Sequence, residues 1–115
     1  MRLLTLAFGI LWMASWWYQA APAKRNVDPC QLAGSVFVEP TESFATYRVF
    51  VEDVENFADL SVYKESTRAF ATRPGHWCFT EVRDFADFSV TFVKVKAFAD
   101  FSIYYTEFQS LAGCQ

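Results

Sequence analysis

Apolar and polar residues alternate along this chain with two periods, a short one inside each unit and a long one between units. The short period is two. In Leu60-Ser61-Val62, Phe88-Ser89-Val90 and Phe101-Ser102-Ile103, apolar residues flank a serine, the pattern of a half-buried strand. Val, Ile, Phe and Tyr dominate these runs, and such side chains suit a pleated surface. The long period is about thirteen. A bulky apolar residue followed by alanine recurs at Leu32-Ala33, Phe44-Ala45, Phe57-Ala58, Phe70-Ala71, Phe85-Ala86, Phe98-Ala99 and Leu111-Ala112, at intervals of 12, 13, 13, 15, 13 and 13 residues. One supersecondary unit is being copied around a shared core.

Each unit can be numbered from its strand start at Val36, Val49, Val62, Trp77, Val90 or Ile103. Positions 12, 1 and 3 are then expected to face inward. Thirteen is odd, so a continuously extended chain would turn equivalent residues to opposite faces. One phase reset per unit is required, a bulge or a tight turn, and the three-residue step from position 6 to position 9 places it between positions 7 and 11. On this reading position 6 and the position-9 residues Phe44, Phe57, Phe70, Phe85, Phe98 and Leu111 also point into the core. Ala45, Ala58, Ala71, Ala86, Ala99 and Ala112 at position 10 mark a crowded contact that no larger side chain tolerates. Asp59, Asp87 and Asp100 at position 11 read as caps of their own turns. A stack of such short units would leave apolar ends and open strand edges, and closure removes both. The expected fold is all-β, a short-strand repeat domain closed into a compact barrel-like body.

The chain begins differently. Residues 3–18 are apolar apart from Thr5 and Ser15, Arg2 precedes them, and Ala21-Pro22-Ala23 follows. This is the order of a secretory signal, so residues 1–23 are expected to be removed, leaving a lead-in over 24–31 and the repeat domain over 32–115. An uncleaved membrane anchor is the alternative, although the stretch falls short of the ~20 residues a spanning helix needs. The expected location is secreted or periplasmic. Cleavage leaves nine Lys and Arg against thirteen Asp and Glu, which argues against a nucleic-acid partner. In an exported chain Cys30, Cys78 and Cys114 imply one disulfide and one spare thiol. Cys30–Cys114 is favoured because the two flank the first and last repeat marks; the other pairings and a reduced state stay open.

Phe57-Ala58-Asp59-Leu60-Ser61-Val62-Tyr63, Phe85-Ala86-Asp87-Phe88-Ser89-Val90 and Phe98-Ala99-Asp100-Phe101-Ser102-Ile103-Tyr104 resemble the repeats of the septoil-knot domain family. The likeness runs from Leu32 to Ala112. It implies a backbone wound as a seven-crossing torus knot, which periodicity alone does not reveal and which breaks the general rule against threaded connections. It implies no activity. The chain departs from the pattern by an insertion around Arg73-Pro74-Gly75, by a residue lost between Ala33-Gly34 and Ser35, and by Thr46 and Thr72 in place of Asp.

Little of the sequence is left for chemistry. The irregular segment Thr72–Cys78 holds the single histidine and the one tryptophan beyond residue 23, and loops on rigid scaffolds are where binding concentrates. Arg73, His76 and Trp77 are therefore the candidate binding residues, for a protein or glycan partner. A Cys78–His76 thiol pair is weighed and set aside, with both side chains expected to point away from the core. A cation ring of Asp59, Asp87 and Asp100 is set aside in favour of turn capping, and an aromatic ligand platform in favour of core packing. No phosphate loop, HExxH, CxxC or GxSxG occurs. No catalytic residue, metal site or cofactor is assigned.

Overall fold

The alternating runs become six five-residue strands: β1 (Gly34–Val38), β2 (Tyr47–Val51), β3 (Leu60–Lys64), β4 (His76–Thr80), β5 (Phe88–Phe92) and β6 (Phe101–Tyr105). The computed structural model describes residues 27–114; the segment 1–23, where a signal or anchor is expected, lies outside them. All strand pairs are parallel and close in the order β1-β4-β3-β6-β2-β5, with β5 returning to β1. The interior holds Val36, Val49, Val62, Trp77, Val90 and Ile103, all fully buried, together with Leu60 and Phe101. Position 1 is thus the axis of the core and position 12 its second layer. Position 3 lies at the rim, where Val38 and Phe92 are exposed and Lys64 reaches solvent.

The phase reset is a single turn of 3-10 helix. It recurs at Glu42–Phe44, Glu55–Phe57, Arg68–Phe70, Arg83–Phe85, Lys96–Phe98 and Gln109–Leu111, each followed by an alanine that is extended in every copy but Ala71. This corrects the expected core. The position-9 phenylalanines Phe44, Phe57, Phe70, Phe85 and Phe98 are 61–69% exposed, and Leu111, Val54, Val82, Val95 and Phe108 also face solvent. The alanines turn the other way: Ala45, Ala71 and Ala99 are buried, and Ala58, Ala86 and Ala112 half-buried. In a three-residue turn positions 6 and 9 lie one above the other, so both share one side. That side is the outside, because the inner side lies against the barrel, where only a methyl group fits.

Parallel neighbours ordinarily need a long crossover. Here residues 39–46, 52–59 and 93–100 suffice. Eight residues reach up to about 26 Å, enough to return along a five-residue strand of about 17 Å and move two strand spacings sideways. The connections β1–β2, β2–β3, β4–β5 and β5–β6 each skip one strand and cross over it, while β3–β4 joins two strands that pair directly. The turn Glu55–Phe57 lies against β6, Lys96–Phe98 against β2 and Gln109–Leu111 against β3, the strand skipped in each case. If the gap between β4 and β3 is counted as a place, each successive strand falls two places further round a ring of seven. The chain so winds twice around the barrel, the path of a seven-crossing torus knot.

The position-11 residues also act differently from expectation. Asp87 Oδ2 accepts from the Ser35 backbone N–H (2.8 Å), Asp100 Oδ2 from Arg48 N–H (2.7 Å), and Asp59 Oδ2 from Ser102 N–H (2.9 Å). Thr46 Oγ1 does the same for Ser89 N–H, and Ser89 Oγ accepts the Thr46 N–H in return. These residues clamp neighbouring strands where their ladders begin, rather than capping their own turns. The clamp also explains Gly34, with φ of +117°: a Cβ there would sit 2.2 Å from Asp87 Oδ2.

Candidate functional site

The seventh place of the barrel holds both ends of the described residues. From the N-terminal side, the Leu32 carbonyl accepts from Gly75 N–H (3.0 Å) and from Trp77 Nε1–H (3.1 Å). From the C-terminal side, Gly113 exchanges two backbone hydrogen bonds with Ser61 (3.0 and 2.7 Å). Cys30 and Cys114 are joined there by a disulfide across a Cα–Cα distance of 5.5 Å, and Cys78 is free. Beyond the seam, β3 and β4 pair directly at Tyr63–His76 and Lys64–Trp77. The backbones press together at Gly75 (φ +83°), where a Cβ would lie 2.3 Å from Gly113 N. The insertion Arg73-Pro74 is the detour that accommodates this meeting.

A cleft of about 360 Å³ opens at the seam, walled by Arg73, Pro74, His76, Gln109, Ser110 and the disulfide with its flanking residues. His76 is buried. It stands on the side of β4 opposite the inward Trp77 and is covered there, where it meets a buried acid. His76 Nδ1 lies 2.8 Å from Glu65 Oε1, and Gln109 Nε2 donates to the same oxygen at 2.8 Å. The His76 hydrogen bond holds the Glu65 carboxyl below the usual carboxylate range. Burial opposes this; the Gln109 amide and the charges of His76 and Arg73 reinforce it. A carboxylate can only accept, so Nδ1 carries the proton. Nε2, the second ring nitrogen, makes no hydrogen bond among the described residues.

Among the candidate binding residues, the structure brings Arg73 and His76 together and removes Trp77. The indole is completely buried, stacked edge-on against Phe79, Phe88 and Phe101. It fills the core beside the β3–β4 seam, so no ligand reaches it. Glu65, Gln109 and Ser110, by contrast, were not singled out in the sequence. The signal for Glu65 and Gln109 lies in the repeat. Buried Glu39 pairs with Arg83, Glu52 with Lys96 (2.6 Å) and Glu65 with Gln109, each partner 44 residues on. The third copy alone lacks the base.

The comparison with known families fits this winding. Residues 29–115 match the 7(1) septoil knot domain. The chain belongs to the septoil-knot family. No curated protein and no solved structure matches it significantly. As a septoil knot, it has its seventh place occupied by the segments around Leu32 and Gly113 instead of a strand, and the family's fold accounts for the skipped neighbours in the strand order. The repeat departures of this septoil knot also gather at one point. The insertion, the histidine standing where other units carry Ser35, Ser61, Ser89 or Ser102, and the neutral Gln109 all border the cleft. The three aspartates lie elsewhere, each engaged with a different strand.

Proposed function

We propose that this septoil knot is an exported, non-catalytic interaction module, built to stay folded for long periods while it displays its surface. The observation that carries the reading is the outward phenylalanine repeated in turn after turn. An exposed ring adds little to the core and invites association, so a body that keeps one in five consecutive turns is suited to contacting partners. Slow unfolding is the accompanying property. A closed ladder offers no free edge, its contacts join residues far apart in sequence, and such topologies form and open slowly. The test has two parts. Cell fractionation and mass measurement should find a chain beginning at Lys24 outside the cytoplasm, and denaturant jumps should give relaxations far slower than seconds. A full-length chain retained in the cell, or unfolding within seconds at moderate denaturant, overturns the reading.

A second reading, a ligand-binding module for a carbohydrate or peptide group, is favoured by the cleft beside the 72–78 segment. Its groups are suited to holding a ligand. A hydrolase or thiol enzyme has less support, because the free thiol of Cys78 makes no hydrogen bond to His76, whose Nδ1 is committed to Glu65.

A further inference from the structure

We infer that the seam cleft is a binding site for a small carboxylate monoanion, held between His76 Nε2 and the Arg73 guanidinium. This rests on the reading of the barrel as a binding module rather than an enzyme.

The inference starts from what the repeat requires and what this copy does instead. A buried glutamate needs a cation, and the first two copies supply one through Arg83 and Lys96. A lysine or arginine at position 109 would have met the same need for Glu65. The chain has Gln109 there, and the compensating group is His76, on the cleft side of the acid. Fold stability alone does not ask for this exchange. Its consequence is a buried imidazole whose Nδ1 is locked onto a carboxylate and whose Nε2 is left for the cleft. Hydrogen bonding of one ring nitrogen fixes what the other can do.

The charges select the ligand. Around the cleft stand Glu65, His76 and Arg73, with neutral Gln109 beside the acid and the Tyr63 ring against the imidazole. Arg73 has no ion-pair partner among the described residues, so its fork of donors is available. In the donor form that a bound anion requires of Nε2, the imidazolium cancels the acid and Arg73 leaves one positive charge. A carboxylate balances it, taking paired N–H bonds from the guanidinium and one from Nε2–H. A dianion would leave a negative charge uncompensated in a half-enclosed site. Pro74, Ala112 and the disulfide offer a short apolar wall beside these donors. The volume lies at the small end of ligand cavities, which suits a single carboxylate-bearing group.

Because the chain has one histidine, its imidazole gives a single set of NMR signals to follow in the purified protein. Acetate, butyrate, glucuronate and an N-acetyl dipeptide with a free carboxyl terminus would be titrated in turn, with glucose, the dipeptide amide and inorganic phosphate as controls. The expected result is a saturable shift with the carboxylates alone. It should come with at least about tenfold weaker binding in Arg73→Ala. Which carboxylate binds best distinguishes a sugar acid from a peptide terminus. An imidazole unmoved by millimolar carboxylate, an equal response in Arg73→Ala, or a preference for phosphate overturns the site. The double variant His76→Ser/Gln109→Lys restores the acid–base pair of the other copies. It should fold with an unchanged denaturation midpoint and lose carboxylate binding by calorimetry; retained binding refutes the role of His76. Chemical conversion of a bound ligand would instead sink the module reading and leave the site standing.

Discussion

Replacing Trp77 by valine should destabilise the protein severely, although valine is what the repeat places there in four of the other five units. A substitution toward an internal consensus ordinarily gains about 0.5–2 kcal/mol. The seam reverses that sign. Trp77 is completely buried, meets Phe79, Phe88 and Phe101 at ring separations of 6.2, 5.3 and 6.4 Å, and fills the core beside the seam. Truncating a buried tryptophan to alanine costs about 3–5 kcal/mol; valine keeps part of the volume, which lowers the packing loss to about 2–4 kcal/mol. Losing the Nε1–H bond to the Leu32 carbonyl adds about 0.5–1.5 kcal/mol. The total of about 3–5 kcal/mol corresponds to a guanidinium midpoint lowered by about 1 M. Far-UV circular dichroism is the proper probe, since Trp77 is itself the interior fluorophore. Samples must be equilibrated until folding and unfolding curves coincide. A Trp77→Val midpoint equal to or above the parent's would show that the barrel closes without the indole.

The alanines and their neighbours offer a contrast on one turn. Ala99→Val should cost about 1–3 kcal/mol by overpacking, whereas Phe98→Gln, at a ring 62% exposed, should cost less than Ala99→Val in the same denaturation series. Gly75→Ala combines a positive φ with a clash against backbone at 2.3 Å. The left-handed conformation alone costs about 1–2 kcal/mol, so a larger loss by thermal melting is expected, with amide exchange raised at Ser61 and Gly113. Glu65 sets a pH dependence. Its carboxyl is depressed in the folded protein, so its contribution is present above the ordinary carboxylate range and disappears as pH falls through the lower folded value. Stability measured downward from pH 5 should therefore fall more steeply in the parent than in Glu65→Gln; parallel curves would remove the linkage.

How much of this could be read from the residues depends on whether the repeat or its breaks are being read. Alternation and period fix the strands, the core at position 1 and the place of the phase reset, because each depends on local geometry copied many times. The direction of Phe44 or Phe98 is not fixed in that way. Hydrophobicity says inward, but the side of the turn left open depends on which strand lies beneath it, and that follows from the winding. The partners of Asp59, Asp87 and Asp100 are equally remote, 43 or 52 residues away. At the cleft, Arg73 and His76 stand out because they interrupt the pattern. Glu65 does not, since Glu39 and Glu52 look the same. Only its distant neutral partner sets it apart. Trp77 misled for the opposite reason: a rare residue beside a turn suggests a ligand, and here it fills the core beside the seam.

The bond between Cys30 and Cys114 spans 84 residues, nearly the whole of the winding. Once it forms, the molecule is a closed curve whose linking can change only by breaking a covalent bond. Oxidation therefore records whatever threading exists at that moment. A chain oxidised after the last pass becomes a permanent seven-crossing ring that denaturant can loosen but never untie. One oxidised too early becomes an unknotted ring of identical mass that cannot reach this barrel until the disulfide is reduced or exchanged. Maturation has an obligatory order, threading first and oxidation second.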